Sequence, residues 1–263
     1  MIRAVFLDVD GTLISFRTHA VPASAVEALR RAHDAGVRLF IATGRAVTDL
    51  GPLAGIPYDG VVALNGCECV LNDGEVVTRH LIPREAFERA MELSETWNFP
   101  MALELNDGIF VNRVTPVVEE LSRMIAHPVP QAVDLRRLFE RGDCCQMCFY
   151  IDPELEKRVM ASLPMLAASR WCPIFADVNL RGIDKATGVA ELAERFGYAM
   201  SEVMTFGDGG NDVPMLRAAG IGVAMGNGCA EALEAADWVT SSVDEDGILR
   251  ALEHFGVIDG IRK

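Results

Sequence analysis

The chain has 263 residues, of which 50% are hydrophobic, and carries 24 Lys and Arg against 38 Asp and Glu for a formal net charge of −14. That length suits one large core, or a core with a smaller companion domain. The acidity excludes nucleic acid and anionic membrane as partners, because binding to either draws on clustered Lys and Arg.

No apolar run reaches the roughly 18 residues of a spanning helix, and the N-terminus lacks the charged, apolar and small-residue order of a signal peptide. The expectation is a cytoplasmic protein with no membrane partner. Seven cysteines, an odd and scattered set, suit a reducing compartment. Cys145 and Cys148 form a C-x-x-C inside a strand-like run, with no second pair to complete a zinc site, and read as buried thiols.

In chain order, Val5-Phe6-Leu7-Asp8-Val9-Asp10-Gly11-Thr12-Leu13 reads as a buried strand that delivers two carboxylates at its end. Side chains alternate along a strand, so Asp8 and Asp10 share a face and repel unless a positive group lies between them. Gly11 and Thr12 follow as turn residues that open backbone N–H groups toward a ligand. A hard divalent cation and a phosphate both fit. A calcium loop does not, since its fifth and twelfth places hold Thr12 and His19.

A helix is expected over residues 22–35, with Pro22 near its start and Gly36 past its end. Residues 37–42 read as a second strand, ending in Thr43-Gly44-Arg45 ahead of another helix-like segment. Residues 61–64 read as a third, ending at Asn65-Gly66. Repeated βα units imply an α/β fold with a Rossmann-like parallel sheet, helices on both faces and ligands at the carboxyl ends of the strands.

The rhythm changes near Leu81. A helix over 83–97, two strands about Asn106-Asp107-Gly108, a helix over 116–126, the cysteine-rich strand, a helix over 153–166 and strands through Leu180 have an α+β character. Residues 82–183 are therefore expected to form an inserted α+β domain, and 1–81 with 184–263 the core. From Lys185 the βα rhythm resumes, with strands over 203–206 and 221–224 and helices over 186–196, 212–219, 230–236 and 247–255.

Four strand-end clusters align: Asp8 with Asp10, Thr43 with Gly44, Lys185, and Gly207-Asp208-Gly209-Gly210-Asn211-Asp212. They supply carboxylates for Mg²⁺, hydroxyl and amide donors for phosphate oxygens, and one neutralising lysine. Phosphoryl transfer needs little else, because positioning and electrostatics supply most of its rate.

These motifs, with Asn65-Gly66 and Val213-Pro214-Met215-Leu216, resemble the haloacid dehalogenase superfamily over the whole chain. Within it they resemble the Cof-type sugar-phosphate phosphatases, whose large cap (C2 type) is inserted after the second motif. The resemblance implies that Asp8 is the nucleophile and Asp10 the general acid/base, with Thr43 and Lys185 completing the catalytic set. It implies a Mg²⁺ site from the Asp8 side chain, the Asp10 carbonyl and Asp208, with Asp212 in support.

The P-type ATPases carry threonine at the place of Asp10 and phosphonatases a small residue, so Asp10 points to phosphate-ester hydrolysis. The family commonly has Lys-Gly after Ser or Asn. Here the run is Asp184-Lys185-Ala186, which raises the question of whether Asp184 pairs with Lys185.

Arg45 reads either as a helix-start arginine or as a second anion contact, Asn65 as a turn former or a substrate contact. Gly44 and Asn211 join the candidate phosphate contacts. Asn179 and Arg181, before the expected second hinge, are candidates to meet the leaving group, or simply strand-end residues. The five histidines are dispersed, and Gly220 to Gly226 misses dinucleotide spacing by one residue.

The leading expectation is thus a Mg²⁺-dependent phosphatase acting on a small phosphorylated metabolite. A phosphomutase, or a phospho-acceptor regulatory domain, stands as the alternative. The insertion is expected to act as a mobile lid that selects substrate, hinged near 81–83 and 182–184.

Overall fold

The computed structural model describes residues 1–259 apart from 52, 54 and 126, and at 171 the backbone only. The first segment runs β1 (Ala4–Leu7), α1 (Ala23–Asp34), β2 (Arg38–Ala42), β3 (Gly60–Ala63), β4 (Glu68–Leu71) and β5 (Val76–Arg79). Then come α2 (Arg84–Thr96), β6 (Met101–Leu105), β7 (Gly108–Val111), α3 (Pro116–Met124), β8 (Gln131–Ala132), α4 (Leu135–Phe139), β9 (Gln146–Phe149), α5 (Pro153–Met160), β10 (Leu166–Cys172) and β11 (Phe175–Leu180). The last segment holds α6 (Lys185–Arg195), β12 (Val203–Gly207), α7 (Val213–Ala218), β13 (Ile221–Ala224), α8 (Ala230–Ala235), β14 (Trp238–Val239) and α9 (Gly247–His254).

Residue contacts divide the chain into two compact units, one of 1–78 with 184–263 and one of 79–183. In the first, the described strands form a sheet ordered β14-β13-β12-β1-β2-β3-β4-β5. Pairing is parallel from β14 through β3, and β4 joins β3 antiparallel. β1 lies centrally and is buried along its whole length, which explains why its sequence is an unbroken apolar run rather than an alternation. On one face Phe6 stacks on Phe40 at 4.6 Å, and Val189 and Leu192 of α6 pack against them. Elsewhere α1 packs on α9, and the helices flank the sheet as in other α/β folds.

The second unit is a mixed α+β layer with the strand order β10-β11-β9-β6-β7-β8. One face of its sheet, through Met101, Leu103, Met147, Phe149 and Val178, meets α2, whose Phe87 stacks on Phe139 at 4.0 Å. The C-x-x-C cysteines are buried in this unit without a disulfide, Cys148 on the other face beside Ala102 and Tyr150, and burial pushes the Cys148 thiol up.

Three expectations change. The helix-like segment after Arg45 is a single 3₁₀ turn, Val47–Asp49, which ends before Gly51 at φ +63°. The helix expected over 153–166 stops at Met160, because Pro164 forbids its continuation, and Leu166 opens β10 instead. Short elements went unread: β4 and β5 beyond the third strand, α4 with its Asp134 cap, and the two-residue strands β8 and β14.

Candidate active site

Parallel register brings the ends of β1, β2, β3 and β12 level, since Leu7 pairs with Phe206 and Ile41, and Ala42 with Val62. Each strand then releases its polar residues at the same edge of the sheet. α6 starts at this edge as well. Its N-cap Asp184 accepts from Thr187 N at 3.0 Å while Asp184 N donates to Thr187 Oγ1 at 3.4 Å, a reciprocal capping box. The Asp184 carboxylate is thereby committed to the cap, and Lys185 takes other partners.

Lys185 is fully buried and donates from Nζ to Asp8 Oδ1 at 2.6 Å and to Asp212 Oδ1 at 2.6 Å. Burial alone would drive its ammonium down; the charges of Asp212 and Asp8 overcome that and raise it. Asp212 Oδ2 accepts from the backbone N–H groups of Asp208 and Gly209 at 2.9 and 2.8 Å, which closes the glycine-rich loop around it. Asp208 Oδ1 accepts from Thr12 Oγ1 at 2.8 Å, and its other oxygen lies over Gly11. Only glycine fits there: φ is +89° and an added Cβ would stand 2.3 Å from Asp208 Oδ2.

Carboxylate oxygens of Asp8, Asp208 and Asp212 lie within 4.8 Å of one another, all buried. Burial, then the charge of Asp212, holds the Asp8 carboxyl well above the usual range despite Lys185. Burial likewise pushes Asp208 up to about 6, with Thr12 opposing. One ammonium against three buried carboxylates leaves a charge deficit, and an all-oxygen donor set of this kind fits a hard divalent cation such as Mg²⁺. Among the described residues, Asp8 Oδ2 accepts no hydrogen bond, so one carboxylate oxygen of this largely buried residue is left for a metal or an electrophile.

Asp10 is half-exposed and gripped by Arg45, whose Nε donates to Oδ2 at 2.8 Å and Nη2 to Oδ1 at 2.6 Å. Thr43 is buried; its Oγ1 accepts from Arg45 N at 3.1 Å and so keeps its own proton to donate. Asn65 sits in a turn whose consecutive residues Leu64, Asn65 and Gly66 all have positive φ, and its Oδ1 accepts from Asn211 Nδ2 at 3.0 Å. A side chain on Gly44 would meet the Asn65 amide at 3.2 Å, so these three residues adjoin.

A family model described as haloacid dehalogenase-like hydrolase matches residues 5–252. The chain belongs to this family. Similar solved structures agree: BT1666 from Bacteroides thetaiotaomicron, a phosphatase of the superfamily, is 53% identical with a TM-score of 0.95, covering 98% of this chain and 96% of its own. The HAD subclass IIB sugar phosphatase BT4131 is 38% identical with a TM-score of 0.88, covering 97% and 100%. A Bacillus subtilis (strain 168) relative, 5-amino-6-(5-phospho-D-ribitylamino)uracil phosphatase YcsE, is 27% identical over 97% of this chain and 96% of its own. This haloacid dehalogenase-like hydrolase is accordingly a phosphatase.

Of the residues expected from sequence, Asp8, Asp208, Asp212 and Lys185 form one buried cluster, and Asp10, Thr43, Gly44, Arg45, Asn65 and Asn211 stand at the same sheet edge. Arg45, read from sequence either as a helix-start arginine or as a second anion contact, has its Nε/Nη2 fork on the Asp10 carboxylate. Arg181 belongs to the other unit, where it is exposed and donates from Nε to Pro164 O at 2.7 Å, a strand-end role. Asn179 is buried and donates to Gln146 Oε1 at 3.0 Å.

Two residues at the site do more than sequence assigned to them. Thr12, read as a turn residue, also orients Asp208, and Asn227, to which no part was given, bridges two loops by donating to Gly11 O at 2.8 Å and accepting from Val243 N at 2.8 Å. Their signal was positional: Asn227 stands between Gly226 and Gly228 just past β13, at the same edge as every other motif.

Proposed function

We propose that this phosphatase is Mg²⁺-dependent and hydrolyses a small phosphorylated metabolite, of the sugar-phosphate class, through a phosphoryl group carried on Asp8. The observation that carries the reading is the buried Asp8 residue, with one carboxylate oxygen fixed by Lys185 and the other open at a sheet edge whose carboxylates suit a cation and whose hydroxyl and amide groups suit a phosphate. The sugar subclass rests on the likeness to BT4131 and on nothing in this chain alone.

In the first half-reaction Asp8 Oδ2 attacks phosphorus, the ester P–O bond breaks, and Asp10 gives its proton to the departing alkoxide. In the second, Asp10 takes a proton from the water that attacks the acyl phosphate; inorganic phosphate leaves and Asp8 is restored. Thr43 Oγ1–H and Lys185 Nζ are the donors suited to oxygens that gain charge on phosphorus. Asp8, the Asp10 carbonyl and Asp208 would hold Mg²⁺, with Asp212 in support. The cation supplies charge neutralisation at the phosphoryl oxygens.

Phosphate release from para-nitrophenyl phosphate tests the reading. Release should require Mg²⁺, stop on chelation, return on Mg²⁺ addition, and vanish in a folded Asp8→Asn variant. Full turnover by the metal-stripped enzyme would remove the metal from the account, and turnover by Asp8→Asn would remove the nucleophile.

A further inference from the structure

Arg45 touches four separate pieces of the site. Its Nε and Nη2 grip the two oxygens of Asp10, while Nη1 donates to Asp49 O at 3.1 Å on the 3₁₀ turn behind it. Its backbone N donates to Thr43 Oγ1 at 3.1 Å, and its O accepts from Leu64 N at 3.1 Å.

The two side chains are 31% and 42% exposed, so packing alone does not fix the Asp10 carboxylate, and an ion pair this accessible adds little to stability. Its consequence is geometric. A single contact lets a carboxylate turn about its last torsion, whereas a parallel two-bond fork fixes the plane. The bond to Asp49 O holds the fork from the far side. The Nε/Nη2 edge that could clasp a phosphate is already filled.

We infer that Arg45 is a positioning residue that aims the Asp10 carboxylate for proton transfer, and that it is not a ligand of the substrate phosphate. The inference rests on the reading of Asp10 as the proton-transfer group. Aiming matters most where the leaving group needs a proton. General acid–base help is worth about 10²–10⁴-fold in such steps, so a misaimed Asp10 should forfeit about tenfold to a hundredfold of it.

The test is kcat/KM over aryl phosphates of graded leaving-group basicity, from para-nitrophenyl to phenyl phosphate, for wild type, Arg45→Ala and Arg45→Lys. The lysine variant keeps the charge without the fork, and carries the test if Arg45→Ala fails to fold. Both variants should lose about tenfold or more on phenyl phosphate and least on para-nitrophenyl phosphate. The inhibition constant of inorganic phosphate should not move, added guanidinium should restore Arg45→Ala, and Arg45→Ala should cost nothing further in an Asp10→Asn background. Even losses across the series, or an inhibition constant that rises with the loss, would overturn the inference in favour of direct phosphate contact. Wild-type enzyme that releases no phosphate from any member takes down the proposed function, and this inference with it. Normal wild-type turnover with even variant losses removes this inference alone.

Discussion

The ammonium of Lys185 and the carboxylate of Asp8 meet at 2.6 Å in a fully buried pair, and Asp212 holds the same ammonium from its other side at 2.6 Å. Removing one partner of a buried ion pair strands the others without water, at about 3–5 kcal/mol. Lys185→Met should therefore unfold at lower urea in the metal-free protein and lose about 10²-fold or more in turnover. Added Mg²⁺ should recover part of the stability and little of the rate. Unchanged urea stability in Lys185→Met would show that the pair contributes nothing to the fold.

Asp208 and Asp8 both have carboxyls raised by burial, Asp208 to about 6. In the unfolded chain such a group titrates near ~3.9. Between those values the folded, metal-free protein binds more protons than the unfolded chain, so stability is highest below the window and falls as pH rises through it. The melting temperature of the metal-free protein should drop between about pH 4 and about pH 6, as ~2.3RT per proton difference requires. Asp208→Asn should flatten that drop, and Mg²⁺ at pH 7 should raise the melting temperature by binding the folded state alone. A drop of equal size in Asp208→Asn would assign it to other groups.

Gly66 has φ +97°, and a Cβ there would stand 1.9 Å from Asp184 O; Gly182 has φ +84°, and a Cβ added there would meet nothing within 4 Å. The pair separates backbone strain from collision. Gly182→Ala should cost about 1 kcal/mol, the left-handed penalty alone. Gly66→Ala should cost about 2–4 kcal/mol and also lower kcat, since the turn that carries Asn65 and the cap that starts α6 at Lys185 must part. Equal costs measured by urea unfolding would mean that the contact yields freely.

Much of this was legible in residue order. Apolar runs such as 203–206 and 37–42 read as interior strands, and a glycine or carboxylate soon after them marks a carboxyl edge, so the sheet and the places of Asp8 and Asp208 followed from pattern, while Lys185, which starts a helix, was matched through the family resemblance. The short elements were not legible, because two residues such as Trp238-Val239 carry no period, and Pro164 outweighed the apolar spacing of residues 153–166. Side-chain partners were the other gap. Sequence gave Arg45 and Asp184 as charges near a phosphate or a lysine, yet each is claimed by a local geometric need, the Asp10 fork and the α6 cap.

The unit of residues 79–183 carries no motif of the catalytic set, and the expectation is that substrate choice lies there. Exchanging it for the corresponding unit of a related phosphatase should reorder kcat/KM across sugar phosphates, nucleotides and other phosphate esters. Dependence on Mg²⁺ and on Asp8 should persist. A ranking that stays with the core would relocate specificity to the residues around Asn65 and Arg45.

Whether Asp8 carries the phosphoryl group is measured most directly by acid quenching during turnover, followed by peptide mapping by mass spectrometry. A phosphorylated peptide spanning Asp8 should appear in the wild-type enzyme with Mg²⁺, more of it in Asp10→Asn where water attack is slowed, and none in Asp8→Asn. Turnover with no phosphorylated Asp8 in either the wild type or Asp10→Asn, or a phosphoryl group mapped to another residue, would contradict it.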